Sequence, residues 1–208
     1  MTRRLFGRKR LYEIQAGDRI EGPRERPLIS LEERRSEARR FAVVASASGN
    51  GKTVLGREVA RRLGVPFCEL DALVHGAGWV ETPDAELRAQ VAPIVAGDGW
   101  VIDGTYRHKL GDLVLGAADV VVWLDLPVRV WLPRLLRRTW RRVRGREELW
   151  NGNRESIATA LWGRESLLAW AFRTHFRRRR DWPRELAGLP VTRLRSRAEV
   201  RRFLEQIG

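Results

Sequence analysis

The clearest chemistry in this chain lies in eight consecutive residues, Ser46-Ala47-Ser48-Gly49-Asn50-Gly51-Lys52-Thr53. Backbone N–H groups in a glycine-rich turn wrap around phosphate oxygens, and the N-terminus of a following helix adds partial positive charge. Gly49 and Gly51 permit the dihedrals and close approach that a side chain would block. Lys52 is placed to reach β- and γ-phosphates and Thr53 to offer its hydroxyl to magnesium, with Val54 continuing the stretch into the helix. The spacing is that of a Walker A loop with one departure. The pattern G-x-x-x-x-G-K-[ST] expects glycine where Ser46 stands. Serine can hold the first turn if its dihedrals stay in an allowed region, so a slightly reshaped loop is expected. The implied ligands are ATP and Mg2+.

Three aspartates sit where strands should end. Asp103, followed by Gly104, fits the acidic residue that holds magnesium directly or through water. Asp71 falls where an acceptor would lie and could orient a hydroxyl or amino group, or accept the proton of an alcohol. Asp125 is a weaker candidate of the same kind. His75, His108 and His175 have no spacing suited to a metal site.

Phosphoryl transfer needs charge neutralised on three equatorial oxygens and water excluded. Arginines on a closing arm supply both. Arg134, Arg138 and Arg141 share one helix face by their i, i+4, i+7 spacing, and the stretch from Arg144 to Glu155, with Gly145, Gly152 and two asparagines, carries the breakers expected at hinges. A lid is expected over about 141–156.

The elements that must position these groups alternate. Phe41–Ala45 is an apolar run suited to a buried parallel strand. Leu55, Val59 and Leu63 form a helical stripe that Gly64 ends. Strands are expected at Val65–Leu70, Trp100–Ile102, Asp119–Asp125 and Val191–Leu194. Helices are expected from a Thr82 cap and Pro83 to about Ala96, from Pro127 onward, from roughly Ser156 to Arg180, and from a Ser196 cap to Ile207. This rhythm means βαβ units and a parallel sheet covered on both faces, with ligands outside the carboxyl ends of the strands. Residues 1–40 are charge-rich, with Gly22-Pro23 and Pro27 as breakers. They read as a basic extension, partly disordered, in which Ser30 could cap a short helix running to Arg40; a kinase-type domain follows over 41–208.

Composition adds bounds. The net charge is +14, and 37 of the 40 basic residues are arginine, leaving only Lys9, Lys52 and Lys109. Lysine and arginine are not interchangeable, so the retention of Lys52 in the loop points to a required point charge. Residues 134–180 hold fourteen Arg against four Glu, which implies an anionic partner, a phosphorylated small molecule or nucleic acid. Against nucleic acid, Trp140, Trp150, Trp162 and Trp170 fall at core-like helix spacings rather than as a stacking row. No apolar run reaches the roughly 20 residues that span a bilayer, and the single Cys68 cannot form an internal disulfide; a cytoplasmic location is expected.

Ser46–Thr53, Glu69-Leu-Asp-Ala-Leu73, Gly78-Trp79, Trp100-Val-Ile-Asp-Gly-Thr-Tyr106 and Val122-Trp-Leu-Asp-Leu-Pro127, with the arginine-rich arm, together resemble the adenylate-kinase-like P-loop proteins called DNA topology modulation proteins. The resemblance implies an α/β, three-layer P-loop kinase fold of five parallel strands with helices on both faces and an Arg-rich helical lid. It implies ATP on Gly49, Gly51, Lys52 and Thr53, magnesium near Asp103, and the nucleotide flanked by Arg134 and Arg138. Thr105-Tyr106-Arg107 stands where adenylate kinases carry an aromatic-Pro-Arg sequence serving the monophosphate site, a departure from AMP as acceptor. The expected activity is transfer of the γ-phosphoryl of ATP-Mg to a small molecule, a nucleotide or nucleoside, with Lys52, Asp71, Asp103 and Arg138 as catalytic groups. The alternatives are a nucleic-acid-associated ATPase and a non-catalytic nucleotide-dependent interaction module.

Overall fold

In β1 (Arg40–Ala45) every residue from Phe41 to Ala45 is buried, as a continuous apolar run in a parallel sheet should be. The structure, a computed structural model, describes residues 37–145, 151 and 166–207. After β1 come α1 (Lys52–Leu63), β2 (Phe67–Glu69), α2 (Leu70–Val74), a 3-10 turn (Ala77–Trp79) and α3 (Asp84–Val95). Then follow β3 (Trp100–Asp103), α4 (Arg107–Leu110), α5 (Leu113–Ala117), β4 (Val120–Leu124), α6 (Val128–Arg144), α7 (Leu167–Glu185), β5 (Val191–Leu194) and α8 (Arg197–Glu205).

The strands form one five-stranded sheet in the order β2-β3-β1-β4-β5, and every pairing is parallel. Side chains alternate between its faces with the two-residue period of a strand. Ala42, Val44, Trp100, Ile102, Val121 and Trp123 pack on one face with α2, α3 and α5. Phe41, Val43, Val101, Val120, Val122 and Leu124 pack on the other with Leu55 and Val59 of α1 and Phe203 of α8. A third cluster joins Ala47 of the phosphate loop to Trp131 and Leu135 of α6 and Ala171 of α7. The loop is thus seated on the core. Asp119 fastens the start of β1: it accepts from Arg40 Nη2 at 2.7 Å and from the Arg39 and Arg40 N–H groups at 3.2 and 3.0 Å.

The five strands and the helix after each match the expected rhythm, with several differences in detail. β2 is three residues long because Leu70 already begins a helix, so Asp71 stands in the first turn of α2 instead of at a strand end. Thr82 does not cap α3; its hydroxyl donates to the Leu73 carbonyl at 2.6 Å, and Pro83 precedes the first helical residue. α7 continues past Arg180 to Glu185. Arg40 is in a strand, not at a helix end. Trp140 and Trp170 are 61% and 40% exposed, so their spacing does not reflect a core. Trp150, Trp162, lid residues 146–150 and 152–156, and nearly all of the N-terminal extension lie outside the described residues, while Arg141–Arg144 of the expected lid continue α6. Among the described residues no helix is long and apolar enough to cross a membrane.

Phe41 has no exposed surface and lies in the central strand. Phe41→Ala should cost about 3–5 kcal/mol of folding free energy, read as a lower urea midpoint with an unchanged slope.

Candidate active site

β1 ends at Ala45 and α1 begins at Lys52, so the phosphate loop spans only the six residues between them. Gly49 and Gly51 carry φ of +82° and +94°, the left-handed region that L side chains avoid. A Cβ on Gly49 would lie 2.6 Å from the Trp131 carbonyl oxygen, so the loop presses directly on the backbone of α6. Asn50 braces the loop: its amide nitrogen donates to the Ala47 carbonyl at 2.9 Å, and its amide oxygen accepts from the Leu126 N–H at 3.0 Å. Ser46 is absent from the positive-φ residues, so serine fits the first position without backbone strain. The reshaping lies in its side chain, which donates to Asp125 Oδ1 at 2.7 Å and accepts from Trp123 Nε1 at 2.9 Å.

β3 lies beside β1 with Asp103 in register with Val43, which carries the Asp103 carboxylate to the base of the loop. Lys52 Nζ is 2.8 Å from Asp103 Oδ1, and the Thr53 hydroxyl donates to Asp103 Oδ2 at 2.6 Å. Glu69, at the end of β2, accepts from the same hydroxyl at 3.4 Å. Burial pushes the Glu69 carboxyl above its ordinary range, and the charges of Asp103 and Asp71 push it the same way. This is an oxygen-rich set of the kind that suits magnesium, and Thr53 and Asp103 are the residues that would hold it. Among the described residues no group of three or more His, Cys, Asp or Glu forms a metal cluster of its own.

A cleft of about 570 Å³ opens beside the loop, lined by Lys52, Asp71, Tyr106, Trp170, Arg178 and Trp182 among others. Asp71 accepts a 2.6 Å hydrogen bond from the Tyr106 hydroxyl, which also lies 3.2 Å from His75 Nε2. Burial, then the Asp71 charge, pushes the Tyr106 phenol well above its ordinary value, so it remains a neutral donor. Tyr106 reaches this place from a left-handed backbone, φ +39°, an unusual conformation for an aromatic residue. Arg178 stands on the opposite wall, on α7. Its Nη1 donates to the Ala45 carbonyl at 2.7 Å, and its guanidinium lies 5.9 and 4.9 Å from the ring centres of Trp170 and Trp182. Burial, reinforced by neighbouring Arg177, pushes its pKa down to about 10, so it is still cationic at neutral pH.

The expected residues are therefore not all in one place. Lys52, Thr53 and Asp103 meet, and Asp71 faces the same cleft. Ala47 and Asn50 are buried supports, Ser48 is half-buried, and Val54 turns a 76% exposed side chain outward. Arg134 reaches the outer side of the loop, its Nη1 3.5 Å from the Asn50 carbonyl; Arg138 lies half-buried one turn farther along α6. Asp125 is not in the cleft at all but is buried beneath the loop. His75 touches the cleft through Tyr106, and His175 is buried between Trp131 and Phe176. Arg178 and the Tyr106–Asp71 pairing were not foreseen. The signal for Arg178 was present: Trp170, Arg178 and Trp182 recur at multiples of four along one helix face.

No protein-family model matches the chain. It is 34% identical over 100 residues to a shikimate kinase of Halorhodospira halophila, a match covering 41% of this chain and 56% of the relative. It is 31% identical over 114 residues to a shikimate kinase of Ruegeria pomeroyi, covering 50% of this chain and 57% of the relative. The chain thus spans a little over half the length of these curated relatives. Among solved structures, a shikimate kinase from Acinetobacter baumannii in complex with shikimate aligns at a TM-score of 0.50 and 17% identity, over 82% of this chain and 92% of that one. That likeness shows the fold, and with the sheet order it makes the architecture the α/β P-loop kinase fold.

Gly49→Ala would force a left-handed alanine, worth about 1–3 kcal/mol of strain, against a fixed carbonyl. Nucleotide titration should show weakened ATP binding, and thermal melting a lowered midpoint.

Proposed function

We propose that this protein is an ATP-dependent kinase that transfers the γ-phosphoryl of ATP, with magnesium, to a hydroxyl of a small anionic acceptor. The observation that carries this reading is the cleft itself: Lys52 and the phosphate loop on one side, Asp71 and Arg178 on the others, converging on one space. The loop amides and Lys52 bind the β- and γ-phosphates and stabilise charge on the transferring group. Thr53 and Asp103 would hold magnesium, which when bound would neutralise charge on the phosphates. Lys52, which pairs with Asp103 at 2.8 Å, turns to the γ-phosphate once nucleotide is present.

On the acceptor side, Asp71 takes the proton of the attacking hydroxyl while Tyr106 holds the carboxylate in place. Arg178 grips the acceptor's carboxylate or phosphate, since a guanidinium fork matches planar anions. Trp182 and Trp170 flank that grip and exclude water. Arg134 and Arg138, on α6, flank the nucleotide. The curated relatives are named for kinase activity on shikimate, and a hydroxylated acid suits these groups better than the nucleotide or nucleoside that the resemblance to adenylate-kinase-like proteins suggested. Arg107, in the position of the monophosphate-binding arginine of adenylate kinases, lines the cleft but is tied to its rim: its Nε donates to Asp112 at 2.7 Å and its Nη1 to the Glu185 carbonyl at 3.3 Å.

The second reading, a nucleic-acid-driven ATPase, is favoured by one observation: Trp140 and Phe176 are 61% and 60% exposed beside the arginines of α6 and α7. ADP release measured against hydroxy acids, sugar acids, nucleosides, nucleoside monophosphates and duplex DNA separates the readings. A hydroxy or sugar acid should raise turnover above the Lys52→Ala background; stimulation by DNA alone would sink the kinase reading. With the active acceptor, Asp71→Asn should lower kcat by about 10²–10⁴-fold, the usual worth of a general base, with little change in KM for ATP.

A further inference from the structure

Ser46 occupies the position where a phosphate loop ordinarily has glycine, and a serine merely tolerated there would be free of particular partners. Instead it is fully buried and bonded on several sides. Its N–H donates to the Leu124 carbonyl at 3.0 Å, its hydroxyl donates to Asp125 Oδ1 at 2.7 Å, and the same oxygen accepts from Trp123 Nε1 at 2.9 Å. The Asp125 carboxylate is itself sealed from water. Arg193 of β5 grips its other oxygen through Nη2 at 2.6 Å and Nε at 3.1 Å, and Arg179 Nε of α7 lies 3.3 Å from Oδ1. The Arg193 guanidinium also stacks 4.0 Å from the centre of the Trp123 ring. Arg178, the neighbour of Arg179, donates to the carbonyl of Ala45, the residue just before Ser46. The entry of the loop is thus held at once from β4, β5 and α7.

We infer that Ser46 is a positioning residue whose hydroxyl fixes the entry of the phosphate loop through the buried Asp125–Arg193–Arg179 cluster, so that the glycine of the usual motif would serve this chain less well. The inference rests on the reading of the loop as the ATP-phosphate site. Glycine is required where the backbone enters the left-handed region, and Ser46 does not enter it. Removing the hydroxyl takes from Trp123 Nε1 its acceptor and leaves Asp125 Oδ1 with Arg179 alone in a dry setting, a cost the loop relieves by shifting. A shift at Ser46 displaces the amides that follow it, up to Gly51. Since Arg178 and Arg179 belong to the helix that walls the acceptor cleft, the same cluster ties that wall to the nucleotide loop.

The test is nucleotide affinity of Ser46→Gly, which restores the motif, and of Ser46→Ala, measured by titrating the full chain with a fluorescent ATP analogue beside thermal melting. Both variants should bind about tenfold more weakly, the effect of orphaning buried hydrogen-bonding groups. Unchanged affinity with only a lower melting midpoint would mean a merely structural serine and overturns the inference, as does tighter binding by Ser46→Gly. If these variants do not fold, Arg179→Gln, at a side chain 42% exposed, reads the same cluster: weaker ATP binding upholds the inference and equal binding overturns it. A folded wild-type chain that binds no nucleotide overturns the phosphate-loop reading itself, a result distinct from wild-type binding that the variants share.

Discussion

The ion pair between Lys52 and Asp103 depends on one feature of the chain's path, the insertion of β3 beside β1. A strand placed next in sequence to β1 would have brought β2 there. The sheet order puts β3 between them, and the register sets Asp103 opposite Val43, two residues before the end of β1. Only then does a carboxylate from a distant part of the chain meet the lysine and threonine that open α1. The pair satisfies a buried carboxylate that would otherwise cost several kcal/mol in a low-dielectric setting. The same contact stores the lysine close to where phosphate charge would draw it.

Around that pair the loop is seated by contacts from several elements at once. Gly49 abuts a carbonyl of α6, Asn50 ties the loop to the segment after β4, and Ala47 belongs to the small cluster with Trp131 and Leu135. The helix that carries Arg134 is therefore the floor of the loop as well as its cationic neighbour. α7 has a similar double part, because Arg178 lines the cleft while bonding to the end of β1.

Much of this was legible in the residues. Uninterrupted, β-branched-rich apolar runs of strand length in β1 and β4 read as strands covered on both faces, and glycines at fixed spacing before a helical stripe announce a phosphate loop. A strand-end aspartate can equally cap a helix or form a turn; Asp103 stood out because the parallel sheet puts it on the same carboxyl edge as the phosphate loop. Contacts that join distant segments were not legible. Nothing local to Tyr106 says that its hydroxyl meets Asp71, thirty-five residues earlier, since that meeting needs the left-handed turn after β3. Asp125 also stands at a strand end, though without the following glycine, and it ends beneath the loop, because β4 flanks β1 on its other side and Arg193 reaches over from β5. The strand expected at Val65–Leu70 is there, but its early end was not legible, because Leu70 continues an apolar run equally well as strand or helix and periodicity cannot separate the two over so few residues.

The length of the outer strands has a further consequence. An open parallel sheet ends in rows of unpaired N–H and C=O groups that invite pairing with another chain. Here the two margins are β2, three residues long and closing on Glu69, and β5, four residues long and carrying Arg193. Each offers too little straight backbone to template an added strand, and each presents a charged side chain near the carboxyl end where the cleft opens. Among the described residues, the sheet margins therefore give another chain little to pair with beside the cleft.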